Sequence, residues 1–190
     1  MTAYDFLKEK DLINRAVIAA AINGETADLT REVSASDDVK PLTFDDAEGR
    51  RVFRHTASHI LAAAVKRLYP EAKLAIGPAI ENGFYYDIDS EVSFTTEHLE
   101  DIEKEMQKIV KENPLLERFS LTRDEAIKLM EEAGETYKVL LIARVPEGED
   151  ITFYKMGEFI DLCAGPHLFS AGAVKAFKLT ACTGAPDASG

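Results

Sequence analysis

The side chains best equipped for chemistry fall in two short stretches. Arg54-His-Thr-Ala-Ser-His59 places two of the chain's four histidines four residues apart, and Asp161-Leu-Cys-Ala-Gly-Pro-His167 repeats that step with Cys163 and His167. On a helix, residues four apart have Cβ atoms about 5–6 Å from one another, close enough to share a metal, a water or a substrate atom. Cys163 and His167 cannot use that geometry, because Gly165 precedes Pro166 and a residue before proline is driven out of helical conformation. They are expected on a turn, where the rigid Gly-Pro step could fold both heads toward one point. Three chemistries suit the combined set. Zinc takes tetrahedral nitrogen and sulfur ligands, so His55, His59, Cys163 and His167 could close a structural shell. A thiol–imidazole pair could attack an acyl group. Without metal, the imidazoles could orient and deprotonate a water. Plainer alternatives stand beside these: a solvated helix face for the first pair, and a buried cysteine next to a surface histidine for the second.

Each pair needs an element to aim it. At about 100° per residue, Val52 to Leu68 predicts a helix with Phe53, Ala57, Ile60, Leu61, Ala64 and Leu68 on one apolar stripe. His55, His59, Ala62 and Lys66 fall on the opposite stripe, so docking on the apolar side leaves both imidazoles pointing away from that contact. Pro70 ends the helix. The strand-like EFIDL leads into the Cys163–His167 turn. Before these, AVIAAAI, Asn23-Gly24 and ETADL predict a hairpin with a two-residue turn, and Val39 to Phe44 predicts a further strand. DDAEGRR reads as a linker, with a domain boundary near residue 48. Strands are expected over Lys73 to Ile76 and Gly83 to Ile88, and an amphipathic helix through Leu99, Ile102, Met106 and Ile109. A further helix runs from the capping box Thr122-x-x-Glu125 to Gly134. YKVLLI, ITFYKM, EFIDLC and AFKLTA read as short strands. The sum is an α+β fold, with helices packed on a mainly antiparallel sheet.

Composition narrows the class. The 190 residues are 46% apolar and 29% charged, a cored rather than a disordered profile. No apolar run approaches the ~20 residues that span a bilayer, so no membrane partner is expected. The charged N-terminus lacks a secretory signal, and two cysteines are too few for a disulfide framework, which points to the cytoplasm. With 22 basic against 34 acidic residues and a formal charge of −12, a general nucleic-acid coating role is disfavoured. Any nucleic acid would be held mainly by another module or gripped by a local patch, for which Arg50, Arg51, Arg54, Lys66 and Arg67, with Lys175 and Lys178, are candidates. His98 reads as a surface residue and Cys182 as a free thiol.

The stretches HTASHILAAAVKRLYPEAKLAIGPAIENGFYYD, YKVLLI, GEFIDLCAGPH and KAFKL occur in that order. Together they resemble the editing region of bacterial-type threonyl-tRNA synthetases, from about residue 12 to Ala185. Alanyl-tRNA synthetase editing domains share the H-x-x-x-H and C-x-x-x-H skeleton, but IGPAIENGFYYD and DLCAGPH favour the threonyl branch. The resemblance implies a partial TGS-like, ubiquitin-like β-grasp unit over 1–48, an aminoacyl-tRNA editing domain over 49–185 and a tail at 186–190. It also implies a reaction, hydrolysis of the ester in mischarged seryl-tRNA(Thr). The family's residues carry over as His55, His59, Lys138, Cys163 and His167 for catalysis, with Tyr86 and Asp161 for substrate binding.

Under that reading a histidine positions the attacking water, and Lys138 stabilises the oxyanion or holds the terminal ribose and phosphate. Asp161 fixes the substrate's α-amino group, Tyr86 stacks on the terminal adenine or hydrogen-bonds the amino acid, and Cys163 shapes the pocket. Without the resemblance, Lys138 and Tyr86 would pass as strand surface. No metal is favoured for editing, although the alanyl relatives hold zinc on the same four-residue skeleton. ATP and a catalytic zinc would belong to a large synthetase domain missing here, so no ligase activity is expected. The expected partners are the 3′ acceptor end of tRNA(Thr) carrying serine and the remainder of a synthetase, with the isolated chain a monomer. Serine and threonine differ by one methyl group, worth only about 1–3 kcal/mol in a pocket, which is why a second, tighter site would be needed. The alternatives are a non-catalytic tRNA-contacting module with structural zinc, an alanyl-type zinc-dependent editing domain, and thiol-based acyl hydrolysis through Cys163.

Overall fold

The computed structural model describes residues 1–184; Ala185 and the tail at 186–190 lie outside them. Helix α1 (Ala3–Glu9) opens on a capping box between Thr2 and Asp5. The hairpin of β1 (Val17–Ile22) and β2 (Glu25–Ala27) turns through Asn23 and Gly24, both at positive φ, as the Asn-Gly pair predicts. Strand β3 (Val39–Thr43) pairs with β1 on its other edge, giving an antiparallel sheet of order β2-β1-β3. Ala3, Leu7, Ala20, Leu29, Val33 and Val39 form this unit's own core. The signal for α1 was present in Thr2-Ala-Tyr-Asp5, a capping box outside the hairpin pattern.

The segment that reads as a linker is instead the start of the longest helix, α2 (Ala47–Leu68), with Asp46 at its N-cap. The boundary expected near residue 48 falls in its first turn. The two-stripe expectation for α2 also fails. Ala57, Ile60 and Ala64 are buried as predicted, but His59, Ala62, Ala63 and Val65 on other sides are buried too. The run of alanines explains it, because small side chains let neighbours approach the helix from several directions.

After α2 come two short antiparallel ladders rather than two continuous strands. Strand β4 (Lys73–Leu74) pairs with β7 (Ile88–Asp89), and β5 (Ala79–Ile80) pairs with β6 (Gly83–Phe84). The ladders break where Pro78 offers no N–H and where the Tyr86 ring lies on Gly77; a Cβ at Gly77 would sit 2.1 Å from that ring. Helix α3 (Thr96–Glu112) packs along α2. Strand β8 (Leu116–Leu121), not anticipated, joins β9 (Ile151–Met156) and β10 (Phe159–Leu162) in an antiparallel sheet of order β10-β9-β8. Helix α4 (Arg123–Glu132) starts on the predicted Thr122–Glu125 capping box.

YKVLLI, whose composition predicts a strand, is helix α5 (Thr136–Ile142), and AFKLTA is irregular. Helix α5 buries Lys138 and Ile142, a four-residue step that suits a helix and not a strand. The buried Glu135 carboxylate at its start accepts a hydrogen bond from the Leu74 N–H at 2.8 Å and pairs with Lys66 at 2.8 Å. Tertiary anchoring thus overrides the local preference of this stretch. Helices on small antiparallel sheets make an α+β fold, as expected.

Candidate functional site

Helix α2 carries His55 and His59, and the turn after β10 brings Cys163 and His167 against them. Cys163 Sγ lies 3.3 Å from His55 Nε2 and 3.5 Å from His167 Nε2. The His167 ring stacks on His55 with centroids 4.3 Å apart and meets His59 edge-on at 4.2 Å. One ligand atom from each of the four residues lies within 4.8 Å of all the others. The turn depends on Gly165, which has φ +74°, and whose Cβ, were there one, would lie 2.2 Å from the Tyr154 hydroxyl. Its N–H donates to Cys163 Sγ at 3.2 Å. His55 Nδ1–H donates to the Pro166 carbonyl at 3.3 Å, the carbonyl being able only to accept.

A second wall meets the first at His59. Lys138 Nζ lies 2.8 Å from Asp161 Oδ1 and donates to the Tyr86 hydroxyl at 2.9 Å, while that hydroxyl donates to Asp161 Oδ2 at 2.7 Å. His59 Nε2 is 3.6 Å from the same Oδ2. All seven residues singled out in the sequence therefore line one continuous assembly drawn from α2, the 75–87 segment, α5, β10 and the following turn. Lys138 and Tyr86 are not strand surface: Lys138 is 3% exposed on α5, and Tyr86 is half-buried between β6 and β7. Both Asp161 oxygens have partners within the assembly.

Two supporting residues escape the sequence patterns. Thr56, fully buried on α2, has its Oγ1 2.9 Å from His167 Nδ1 and accepts the Leu168 N–H at 3.0 Å. Asp28, from the N-terminal unit, accepts the His167 N–H and the Tyr154 hydroxyl, both at 2.5 Å. Thr56 lies inside RHTASH itself, and a hydroxyl between two functional histidines was the available signal. Asp28 had none, its partner being 139 residues away.

Burial sets the protonation of this assembly. It depresses His55, partly against the pull of the Pro166 carbonyl and of Asp161, and lowers His59 to about 3 despite Asp161. His167 lies well below the ordinary imidazole range for the same reason. The Cys163 thiol is pushed up to about 12 by burial. Burial would raise Asp161 as well, but Lys138, His59 and the hydrogen bonds from Lys138 and Tyr86 hold it below the usual carboxylate value. At neutral pH the site therefore holds three neutral imidazoles, a protonated thiol and one buried ion pair.

The donor types suit zinc. Tetrahedral bonds of about 2.0–2.3 Å need ligand atoms roughly 3.3–3.8 Å apart. The two sulfur–nitrogen distances meet that, while the 4.8 Å limit asks for contraction. His55, His59, Cys163 and His167 are the residues that would hold the ion.

Of the seven basic residues considered for a patch, Lys175 is exposed and the other six have carbonyl or carboxylate partners. Arg50 donates to the Phe44 and Asp45 carbonyls, Arg51 pairs with Glu48, and Arg54 donates to the Glu81 carbonyl. Lys66 pairs with Glu135, Arg67 with Glu105 and Glu112, and Lys178 with Glu103. His98, at the third helical position of α3, accepts the Thr95 N–H, and Cys182 is an exposed thiol. Among the described residues, no helix is long and apolar enough to cross a membrane.

Residues 151–190 match the family described as the threonyl and alanyl tRNA synthetase second additional domain. Threonine–tRNA ligase of Clostridium tetani is 60% identical over 179 residues, 94% of this chain and 28% of the relative. That of Acetivibrio thermocellus is 61% identical over 171 residues, 90% of this chain and 27% of the relative. Over nine-tenths of its length the chain is similar to threonine–tRNA ligases. It spans between a quarter and a third of the length of these relatives. An alignment of 179 residues in a chain of 190 takes in α2, α5 and the Cys163–His167 turn, so the whole assembly lies within the part shared with threonyl-tRNA synthetases.

Proposed function

We propose that this segment hydrolyses the ester of seryl-tRNA(Thr), the proofreading step of a threonyl-tRNA synthetase. The observation that carries the reading is the convergence of three neutral imidazoles on one point beside a buried Asp161–Lys138–Tyr86 network. Water held by His59 gives that imidazole a proton as its oxygen bonds to the ester carbonyl carbon. The bond from that carbon to the ribose oxygen then breaks, and the proton passes to the departing hydroxyl. A base is useful only if it is unprotonated at working pH, and burial supplies that condition. Asp161 faces His59 and orients it, while the Lys138 charge, fixed in place before substrate arrives, favours the developing oxyanion. Cys163 stays protonated and serves as a polar wall, since the thiolate is the nucleophilic form.

Zinc on all four residues would form a closed structural shell rather than one with an open position for water. Residues 1–48 are assigned to a partial β-grasp unit, 49–185 to the editing domain and 186–190 to a tail. The acceptor end of tRNA(Thr) and the rest of a synthetase are the partners, and the cytoplasm is the location. Deacylation of seryl- and threonyl-tRNA(Thr) by wild type, His55→Ala and His59→Ala tests this. A loss of roughly 10²-fold or more on the seryl ester, with circular dichroism unchanged, is expected. Undiminished rates would overturn the catalytic role, and equal cleavage of both esters would overturn the serine specificity.

A further inference from the structure

We propose that Thr56 is a positioning residue for this site: its hydroxyl holds His167 as the Nε2–H tautomer, so the ring offers the chamber a proton rather than a lone pair. Thr56 is fully buried, and its Oγ1 already accepts the Leu168 N–H at 3.0 Å. Among the described residues the only other partner of that hydroxyl is His167 Nδ1, at 2.9 Å. Were Nδ1 protonated, Oγ1 would accept twice and the hydroxyl hydrogen would be buried without an acceptor. Leaving a buried donor unsatisfied is costly. The hydroxyl therefore donates to a bare Nδ1, and the neutral ring carries its proton on Nε2.

The rest of the cluster is consistent with that assignment. His55 Nδ1–H donates to the Pro166 carbonyl, so His55 Nε2 is the bare nitrogen facing Cys163 at 3.3 Å. The thiol donates its hydrogen to His55 Nε2 and accepts from His167 Nε2–H at 3.5 Å and from the Gly165 N–H at 3.2 Å. Every hydrogen in the chain from Thr56 to Pro166 has an acceptor. Zinc held by all four residues needs a lone pair where this tautomer places an N–H. The donor types fit the ion but the proton placement does not, and Thr56 is the residue that decides it. Second-sphere partners of metal-binding histidines usually fix the opposite tautomer, with the remote nitrogen donating.

The tautomer and metal measurements stand apart from the editing reading; only the rate measurement rests on it. Ring-nitrogen NMR of the 15N-histidine-labelled chain reports which His167 nitrogen carries the proton. Nε2–H is expected, and Nδ1–H in the wild type would overturn the proposal. Cobalt or zinc titration compares wild type, Thr56→Ser and Thr56→Ala. In the alanine variant the vacated space suits one water, which can donate or accept and so removes the bias. Thr56→Ala is expected to bind zinc about tenfold or more tighter than the other two, whereas equal affinities in all three would overturn the assignment. On seryl-tRNA(Thr), Thr56→Ala lowers kcat more than KM and Thr56→Ser restores it. If the wild type cleaves no ester at all, the editing reading fails while the NMR and metal results still judge Thr56.

Discussion

Replacing Lys138 with methionine keeps the length of the side chain and removes one charge from a place that water does not reach. Lys138 and Asp161 are 3% and 2% exposed, and their charged atoms are 2.8 Å apart. At an effective dielectric near 20, two unit charges at that separation attract by about 6 kcal/mol. Breaking a buried pair typically costs about 3–5 kcal/mol, because the surviving charge stays desolvated. The lower figure is reasonable here, since Asp161 retains the Tyr86 hydrogen bond at 2.7 Å and has His59 at 3.6 Å. Lys138→Met should therefore lose about 3–5 kcal/mol of the roughly 5–15 kcal/mol that holds a domain together.

The same variant carries a pH signature. In the wild type Lys138 lowers His59 and Asp161 raises it. Without the lysine, His59 takes up a proton more readily in the folded state and partly replaces the missing cation. The deficit of Lys138→Met should thus shrink as pH falls from 8 to 5. Urea denaturation followed by far-UV circular dichroism, run at both pH values with Asp161→Asn in the single and double backgrounds, measures this. The double variant should recover most of the loss. A single variant within about 1 kcal/mol of wild type, or a double variant no more stable than the single, would refute a desolvated pair.

Acid should destabilise the wild type through its histidines. His59 is neutral in the folded state down to about pH 3 but takes a proton near 6.5 when unfolded, so the unfolded chain binds more protons below pH 6.5 and stability falls. His59 alone accounts for about 2 kcal/mol lost by pH 5, with His55 and His167 adding in the same direction; equal urea midpoints at pH 7.5 and 5 would contradict this. Cys163→Ala should retain deacylation within about tenfold, because the thiol is protonated; complete loss would make the sulfur the nucleophile. Asp28→Ala removes the acceptor of the His167 N–H and the Tyr154 hydroxyl, and should cost about 2 kcal/mol in urea titration together with part of the deacylation rate. Unchanged stability and rate would show that the N-terminal unit does not brace the Cys163–His167 turn.

Where local chemistry dictates the backbone, the sequence was sufficient. Asn23-Gly24 set the hairpin turn because both positions need positive φ, Thr122 and Glu125 set the start of α4, and the proline after Gly165 ruled out a helix through Cys163 and His167. The four candidate ligands were visible from residue type and spacing, whereas Lys138 and Tyr86 were reachable only through family resemblance. What no local pattern could supply was partnership across the chain: His55 meets Cys163 at a separation of 108 residues, Lys138 meets Tyr86 at 52, and Asp28 meets His167 at 139. Helix α5 shows why. Taken alone, its residues favour a strand, but burying Lys138 on Asp161 and anchoring Glu135 on Leu74 outweigh that preference. The protonation states on which the chemistry depends are tertiary for the same reason. An imidazole's proton affinity follows from how much water it has lost and which charges replaced that water, and both are decided by residues distant in sequence.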